Sequence, residues 1–419
     1  MMQDQALATL SRGMGALASA RGAPWALIIP ASSHGSLGDA AMAIVARDEL
    51  RARGMRVCLL ADDTWPALAG FDAYVPADRY LFHGGRRTFV ELMWRTRAVS
   101  AVTLIGADIL DGVYNPHSVL RRLKILSALA RRGCEATILG SSFNETPNPV
   151  CVEALRRLPA NVAVKAREPV SRERMVAHLG RPVDLVADLA FLCPADTAGA
   201  RDGLAFVAGA GEAGRKVIAL TANFIVAARV EGFEAAHVPL VKALIAAGHS
   251  VALVPHDTRK SDSDAALLTR IADRLSESER AHTHLVPPDH PERVKAILGA
   301  CDFAITSRMH AAILAMGAGV PAFSFGYQGK FEGLMDLLGL SEEGMLHQPA
   351  ALVADPEGIA AAVLQRLADR DRLAAILERH LPDVRAMSRD NFAGLGAGAG
   401  AGAGAERPGA TVAPERRAA

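Results

Sequence analysis

Phe303-Ala304-Ile305-Thr306-Ser307-Arg308-Met309-His310-Ala311-Ala312-Ile313-Leu314-Ala315-Met316-Gly317-Ala318-Gly319-Val320-Pro321-Ala322-Phe323-Ser324-Phe325 packs an apolar run, a basic helix start, a run of small and apolar residues and a second apolar run into one short stretch. An apolar strand followed by a helix and another apolar strand is the unit that builds a parallel sheet covered by helices.

Working outward, the same alternation recurs along the chain. Short apolar runs at 25–29, 57–60, 102–105, 136–139 and 162–164 read as strands buried on both faces, with helical patterns at 40–53, 118–132 and 170–179 between them. Residues 194–214, rich in Gly, Ala and Asp, interrupt the rhythm. It resumes with strands at 217–221, 251–255, 303–306 and 322–325, alternating with helices at 235–247, 263–275, 291–299 and 311–318. The fold class is therefore α/β, with two Rossmann-like domains facing across a cleft, 1–195 and 196–390. A final amphipathic helix pair at 356–380 is expected to pack back across the first domain. The Gly/Ala-rich tail 391–419 is too poor in apolar surface to order itself.

Bulk properties narrow the function. A chain of 419 residues suits two domains, and 50% hydrophobic with 22% charged residues is ordinary globular composition. A formal charge of +1 supplies no electrostatic footprint for nucleic acid. The five cysteines lie far apart without metal-ligand spacing, which reads as reduced, buried thiols in a cytoplasmic protein with no metal. The stretch 1–23 is mildly amphipathic and carries Arg12 and Arg21 but no continuous apolar core of a secretion signal. No window is long and apolar enough to span a membrane, which leaves room for peripheral attachment to its surface.

Candidate chemistry lies at strand ends. The loop Ser32-Ser33-His34-Gly35-Ser36-Leu37-Gly38-Asp39 follows the first strand and opens a helix, where Gly35 and Gly38 would let amide groups approach an anion. The alternative is a tight turn with Asp39 as a helix cap. After the strand ending at Ile105 come Asp108 and Asp111, which share a surface if the segment turns helically and would then suit a base acting on a sugar hydroxyl. A helix cap plus a solvated Asp is the simpler account. Arg167 would point into the cleft to grip a carboxylate or phosphate, or else pair with Glu168 or Asp188 on the surface.

In the opening stretch, Arg308 and His310 occupy the first turn of a helix whose other face is apolar. That is a costly place for both unless an anion or acid–base chemistry uses them. Lys330, one of seven lysines, opens the next helix. A packing role for His310 and a solvated one for Lys330 are the competing accounts. His256, in Pro255-His256-Asp257, points to the same crevice and touches substrate or caps a turn.

Together these residues resemble the polysaccharide pyruvyl transferase family. The resemblance runs through Gly35-x-x-Gly38-Asp39, Ala166-Arg167-Glu168-x-x-Ser171, Ala187-Asp188-Leu189-Ala190-Phe191, Pro255-His256-Asp257 and, most specifically, Arg308-x-His310 to Tyr327-x-x-Lys330. It implies a fold like glycosyltransferases of type B, no cofactor, and phosphoenolpyruvate as donor. Apart from the resemblance, the chemistry of the residues makes His310 the acid and Asp39, Asp108 or Asp111 a possible acceptor-side base; the resemblance puts Arg167, His310 and Lys330 at the phosphoenolpyruvate ligands, with Arg308 and Ser307 beside them. It also implies a saccharide or lipid-linked saccharide acceptor from cell-envelope or exopolysaccharide synthesis. One departure stands out, since Gly106-Ala107-Asp108 replaces the family's usual glycine run and puts close backbone approach to a ligand there in doubt. Two rival functions are a nucleotide-sugar glycosyltransferase, with Glu332 or Asp336 as ribose ligand, and a non-catalytic binding protein. Acceptor choice is expected from loops 82–94 and 114–117.

Overall fold

Strand β1 (Trp25–Ile29) is buried over its whole length, as a strand with helices on both faces must be. The computed structural model describes residues 22–396 apart from 66–67, 258–262, 288–289 and 327–328. Around β1 lie β2 (Arg56–Ala61), β3 (Ala73–Pro76), β4 (Val99–Leu104), β5 (Glu135–Ser141), β6 (Val162–Ala166) and β7 (Asp184–Leu185). They form a parallel sheet in the order β3-β2-β1-β4-β5-β6-β7. The second sheet contains β8 (Val217–Thr221), β9 (Ser250–Leu253), β10 (Thr283–Leu285), β11 (Phe303–Thr306), β12 (Ala322–Phe325) and β13 (Leu346–His347), all parallel, in the order β10-β9-β8-β11-β12-β13.

Both sheets reverse strand order beside their first strand, between β1 and β4 and between β8 and β11. In open parallel sheets a crevice for ligands opens at that reversal, outside the carboxyl ends of the strands. Helix starts are written locally. Pro116, Pro149, Pro169, Pro291, Pro349 and Pro356 each open a helix, where the missing N–H is no loss.

Three expectations change. Residues 194–214 are no simple break, because helix Arg201–Glu212 forms there and starts the second domain. The short strands β3, β7, β10 and β13 were too brief or too polar to stand out. The tail does not start at 391: Asn391, Phe392 and Leu395 are buried, and Asn391 accepts from Gly140 N at 2.7 Å while its Nδ2 donates to Ala187 O at 2.9 Å. Helix Arg370–Arg389 delivers these residues to the first domain, so the chain's last described residues return across the boundary as the amphipathic pattern implied. Residues 397–419, the stretch 1–21 and Tyr327 lie outside the described residues.

The apolar core also crosses the boundary. Helix Leu37–Ala52 and the turn Leu189–Leu192 join one face of the first sheet to the core of the second domain in a single cluster. The two domains are therefore pressed together beside the crevice.

Candidate functional site

Seven strand ends meet at the junction: those of β1, β4, β6, β8, β9, β11 and β12. The loop after β1 is fastened to the other domain. Leu37 N donates to His256 O at 3.1 Å, and Ser36 forms an antiparallel bridge with Asp257. Ser36 caps its helix by accepting from Asp39 N. These contacts occupy two of the amide groups expected to hold an anion. The glycines have other tasks: Gly35 adopts φ 125°, closed to other residues, and Gly38 faces His310 so closely that a Cβ would lie 2.1 Å from Nδ1.

At the end of β6, Arg167 turns inward. Its side chain is 1% exposed and that of Asp188 2%, and Nη1 donates to Asp188 Oδ2 at 2.6 Å. The pairing with Asp188 is thus real but interior, not on the surface. Arg167 Nε donates to Ser142 Oγ at 2.8 Å, and Nη1 lies 3.2 Å from His310 Nε2 across the domain boundary. His310 Nε2 is also 3.6 Å from Asp188 Oδ2. Burial would raise the Asp188 carboxyl, but Arg167 and His310 outweigh it and hold the group well below the usual carboxylate range. Glu168 takes no part in the pairing with Arg167. It caps helix Pro169–Leu179 by accepting from Ser171 N, and burial raises its carboxyl.

The two acids after β4 separate. Asp108 reaches Lys330 Nζ at 2.7 Å. Burial opposes its charge, yet Lys330 and Arg167 keep the carboxyl far below its ordinary value. Asp111 is fully buried and accepts from Val113 N at 3.0 Å and from Asn144 Nδ2 at 2.6 Å, so it pins one loop to another and is absent from the crevice. Between them Ala107 holds φ 47°, the only non-glycine in the left-handed region among the described residues. The chain therefore follows a path natural to glycine although the residue is alanine.

Arg308 is the N-cap of helix Met309–Met316 and His310 its second residue. Arg308 is gripped by Asp264 through Nε at 3.0 Å and Nη2 at 2.7 Å, with Asp257 at 3.6 Å. Ser307 is buried, and its Oγ accepts from Asn223 N at 2.9 Å, which joins the loops after β8 and β11. His256 is 2% exposed, its ring stacks on His310 at 6.4 Å, and both ring nitrogens are buried with no hydrogen-bond partner among the described residues. Burial, with His310 and Arg308 nearby, depresses its pKa strongly and keeps the ring neutral.

Asp39, Asp108, Arg167, His256, Arg308, His310 and Lys330 all line one cavity of about 250 Å³, together with Ser32, Ser36 and Tyr114. Ser307, Gly35, Gly38 and Asp111 do not. A second cavity of about 660 Å³ adjoins it through Ser32, Ile109, Tyr114 and Ile225, and is walled by Ser33, His34, Asp62, Thr64, Phe82 and Asn115. The residues that sequence reasoning missed are Asp264, Asn223 and Ser142. Only Asn223 and Asp264 carried a hint, as polar residues at helix starts. Asp188 entered only as a surface partner in the alternative reading of Arg167 and as part of the family's motif, without a role in the site. Chemically, the smaller cavity presents three paired cations, two stacked imidazoles and two carboxylates, Asp39 and Asp108, a set suited to holding an anion and moving a proton.

Solved structures share this architecture. A protein from Listeria monocytogenes assigned as a UDP-N-acetylglucosamine 2-epimerase is 10% identical over 88% of this chain and 94% of its own, with a TM-score of 0.57. Sucrose-phosphate synthase from Thermosynechococcus elongatus is 17% identical over 87% and 96%, with a TM-score of 0.52. An α,α-trehalose-phosphate synthase (UDP-forming) from Burkholderia vietnamiensis is 13% identical over 88% and 98%, with a TM-score of 0.54. At such identities the likeness is one of fold, the two-domain architecture of type B glycosyltransferases. The family model for polysaccharide pyruvyl transferase matches residues 37–329, from the loop after β1 to the residue before Lys330, and the chain belongs to the polysaccharide pyruvyl transferase family.

Proposed function

We propose that the protein transfers a pyruvyl group from phosphoenolpyruvate to a saccharide, closing a cyclic ketal on two of its hydroxyls. The observation that carries this reading is the convergence of Arg167, His310 and Lys330, from three strand ends and both domains, on one small cavity. Phosphoenolpyruvate bears a carboxylate and a phosphate, and a site for it needs several cations and neutral donors. His256 supplies a buried neutral imidazole with unspent hydrogen-bonding capacity.

Each cation is already paired with a carboxylate, so donor binding is an exchange. Asp108 is the most exposed of these partners, its side chain 28% exposed against 2% for Asp188 and none for Asp264. A donor anion reaching Lys330 displaces Asp108, which is then free to take a proton. The sequence of bonds follows. His310 gives a proton to the methylene carbon of the enol, and an oxocarbenium centre forms at the carbon bearing phosphate and carboxylate. One saccharide hydroxyl attacks that carbon and its proton passes to Asp108 or Asp39. Phosphate leaves with its bonding pair, and the second hydroxyl closes the ketal and gives up its proton. Of the two protons lost from the hydroxyls, one replaces that given by His310 and the other leaves with phosphate. The larger cavity, with its hydroxyls, amide and aromatic rings Phe82 and Tyr114, would take the saccharide.

Glu332 and Asp336 are exposed and line neither cavity, which speaks against them as ribose ligands in a nucleotide-sugar reading. The glycine-like path through Ala107 removes the main reason for a non-catalytic one. The test is incubation with phosphoenolpyruvate and a panel of free and lipid-linked saccharides. Phosphate release that requires a saccharide, with a product heavier by pyruvate less water, is expected, and His310→Ala should lower turnover by about 10²-fold or more. Release of UDP from UDP-sugars without consumption of phosphoenolpyruvate would overturn the assignment.

A further inference from the structure

Helix Arg86–Arg95 is oriented against the usual rule, since Leu92 is its one fully buried residue while Val90 and Trp94 are 60% and 62% exposed. Those two side chains lie one turn apart and line a shallow groove with Arg86, Arg87 and Glu91. The preceding turn Arg79–His83 adds Phe82, 54% exposed. Val113 and Tyr114 are also prominent, at 49% and 43%, so five of the eight most exposed large apolar side chains among the described residues fall within 82–114. Scattered exposed apolar residues need no explanation, but Val90 and Trp94 together on one helix face, with Phe82 exposed in the turn before it, mark an interaction surface.

Charge identifies the partner. Between residues 78 and 97 stand Arg79, Arg86, Arg87, Arg95 and Arg97 against only Asp78 and Glu91, in a chain whose overall formal charge is +1. The Arg97 guanidinium lies 3.9 Å over the Trp94 ring, a cation and an aromatic paired at the edge of the apolar strip. Apolar side chains flanked by arginines with a tryptophan between them match the boundary between anionic headgroups and acyl chains. We propose that this face of the first domain docks on an anionic membrane surface.

The position serves the acceptor side. Phe82 belongs both to the exposed strip and to the wall of the 660 Å³ cavity, as does Tyr114, so the strip ends where that cavity opens. A saccharide carried on a membrane lipid would then enter the cavity from the docked face. That use rests on the pyruvyl-transfer reading, whereas docking itself does not. No described helix is long and apolar enough to cross a membrane, so attachment here is to the surface.

Docking is tested without turnover, by co-sedimentation of the full chain with phosphatidylcholine vesicles with and without phosphatidylglycerol. Trp25 and Trp65 are buried, so the fluorescence of Trp94 reports contact directly. Binding to the phosphatidylglycerol vesicles only, a blue shift of Trp94 and loss of binding at high salt are expected. Val90→Glu with Trp94→Glu, or Arg86→Glu with Arg87→Glu, should weaken binding about tenfold or more, while Val150→Glu, exposed elsewhere, should not. Equal binding by all variants, no binding to anionic vesicles, or a dimer of the wild type that the Val90/Trp94 variant dissolves would each overturn the proposal. The last outcome would assign the face to a second copy of the chain.

Discussion

Replacing Gly38 by alanine tests whether the loop of one domain sets the catalytic geometry of the other. The added Cβ would lie 2.1 Å from His310 Nδ1, 2.2 Å from Cγ and 2.6 Å from Cβ. Comfortable contacts lie at about 3.5–4.0 Å, so the ring must retreat by roughly 1.5 Å. Turning the imidazole does not suffice, because the His310 Cβ is itself too close. Backbone must shift on one side of the interface, and a shift of that size breaks both the 3.2 Å approach to Arg167 and the 3.6 Å approach to Asp188. Displacing a reacting group by about 1 Å costs on the order of 10²-fold. Gly38→Ala should therefore lower kcat for saccharide-dependent phosphate release by about 10²-fold, with a stability loss of about 1–3 kcal/mol in urea unfolding. In a His310→Ala background the same change should cost far less activity, since both act through one ring. A Gly38→Ala enzyme with turnover near that of the wild type would refute the dependence of His310 on this approach.

Three further outcomes follow from buried groups and backbone. Asp188→Asn leaves Arg167 buried without its counter-charge and should destabilise the fold by about 3–5 kcal/mol in urea unfolding. Because the folded Asp188 carboxyl is depressed, its contribution is complete above the unfolded value and is lost as pH falls through the folded one, so the variant should show a shallower loss of stability in acid. His237 is fully buried and its pKa is lowered to about 4, mainly by burial, so between pH 6.5 and about 4 the unfolded chain takes up a proton that the folded chain refuses. Stability should fall by about 3 kcal/mol across that window as pH drops, and His237→Leu should remove that slope in pH-dependent unfolding. Ala107→Gly relieves a left-handed alanine and should be neutral or stabilising by up to about 1 kcal/mol, whereas Ala107→Val should be clearly destabilising. Chemical denaturation of the two variants reads both, and a large loss with glycine would contradict the strain.

Much of this protein is local enough to be legible residue by residue. Apolar runs such as Trp25–Ile29 can be buried on both faces only inside a covered parallel sheet, and prolines and small polar residues mark where the intervening helices begin. The alternation therefore determined two parallel α/β halves, and it put Arg167, Arg308, His310 and Lys330 at strand ends or the helix starts after them. What each group does once there depends on partners far away in the chain. Arg167 meets Asp188 and, from the other domain, His310; Arg308 is claimed by Asp264; Lys330 meets Asp108; and Asp111, alike in type to Asp108 and three residues on, is buried against Asn144. Periodicity carries no information about such pairings, because a charged side chain is placed by whichever opposite charge the packed domains bring within about 3 Å, where removal from water makes that choice decisive. The buried central strands and the α/β class came from the sequence itself, while the short edge strands, the helix at Arg201–Glu212 and the division of labour among the ionised groups of the crevice were decided only when the two sheets closed on each other.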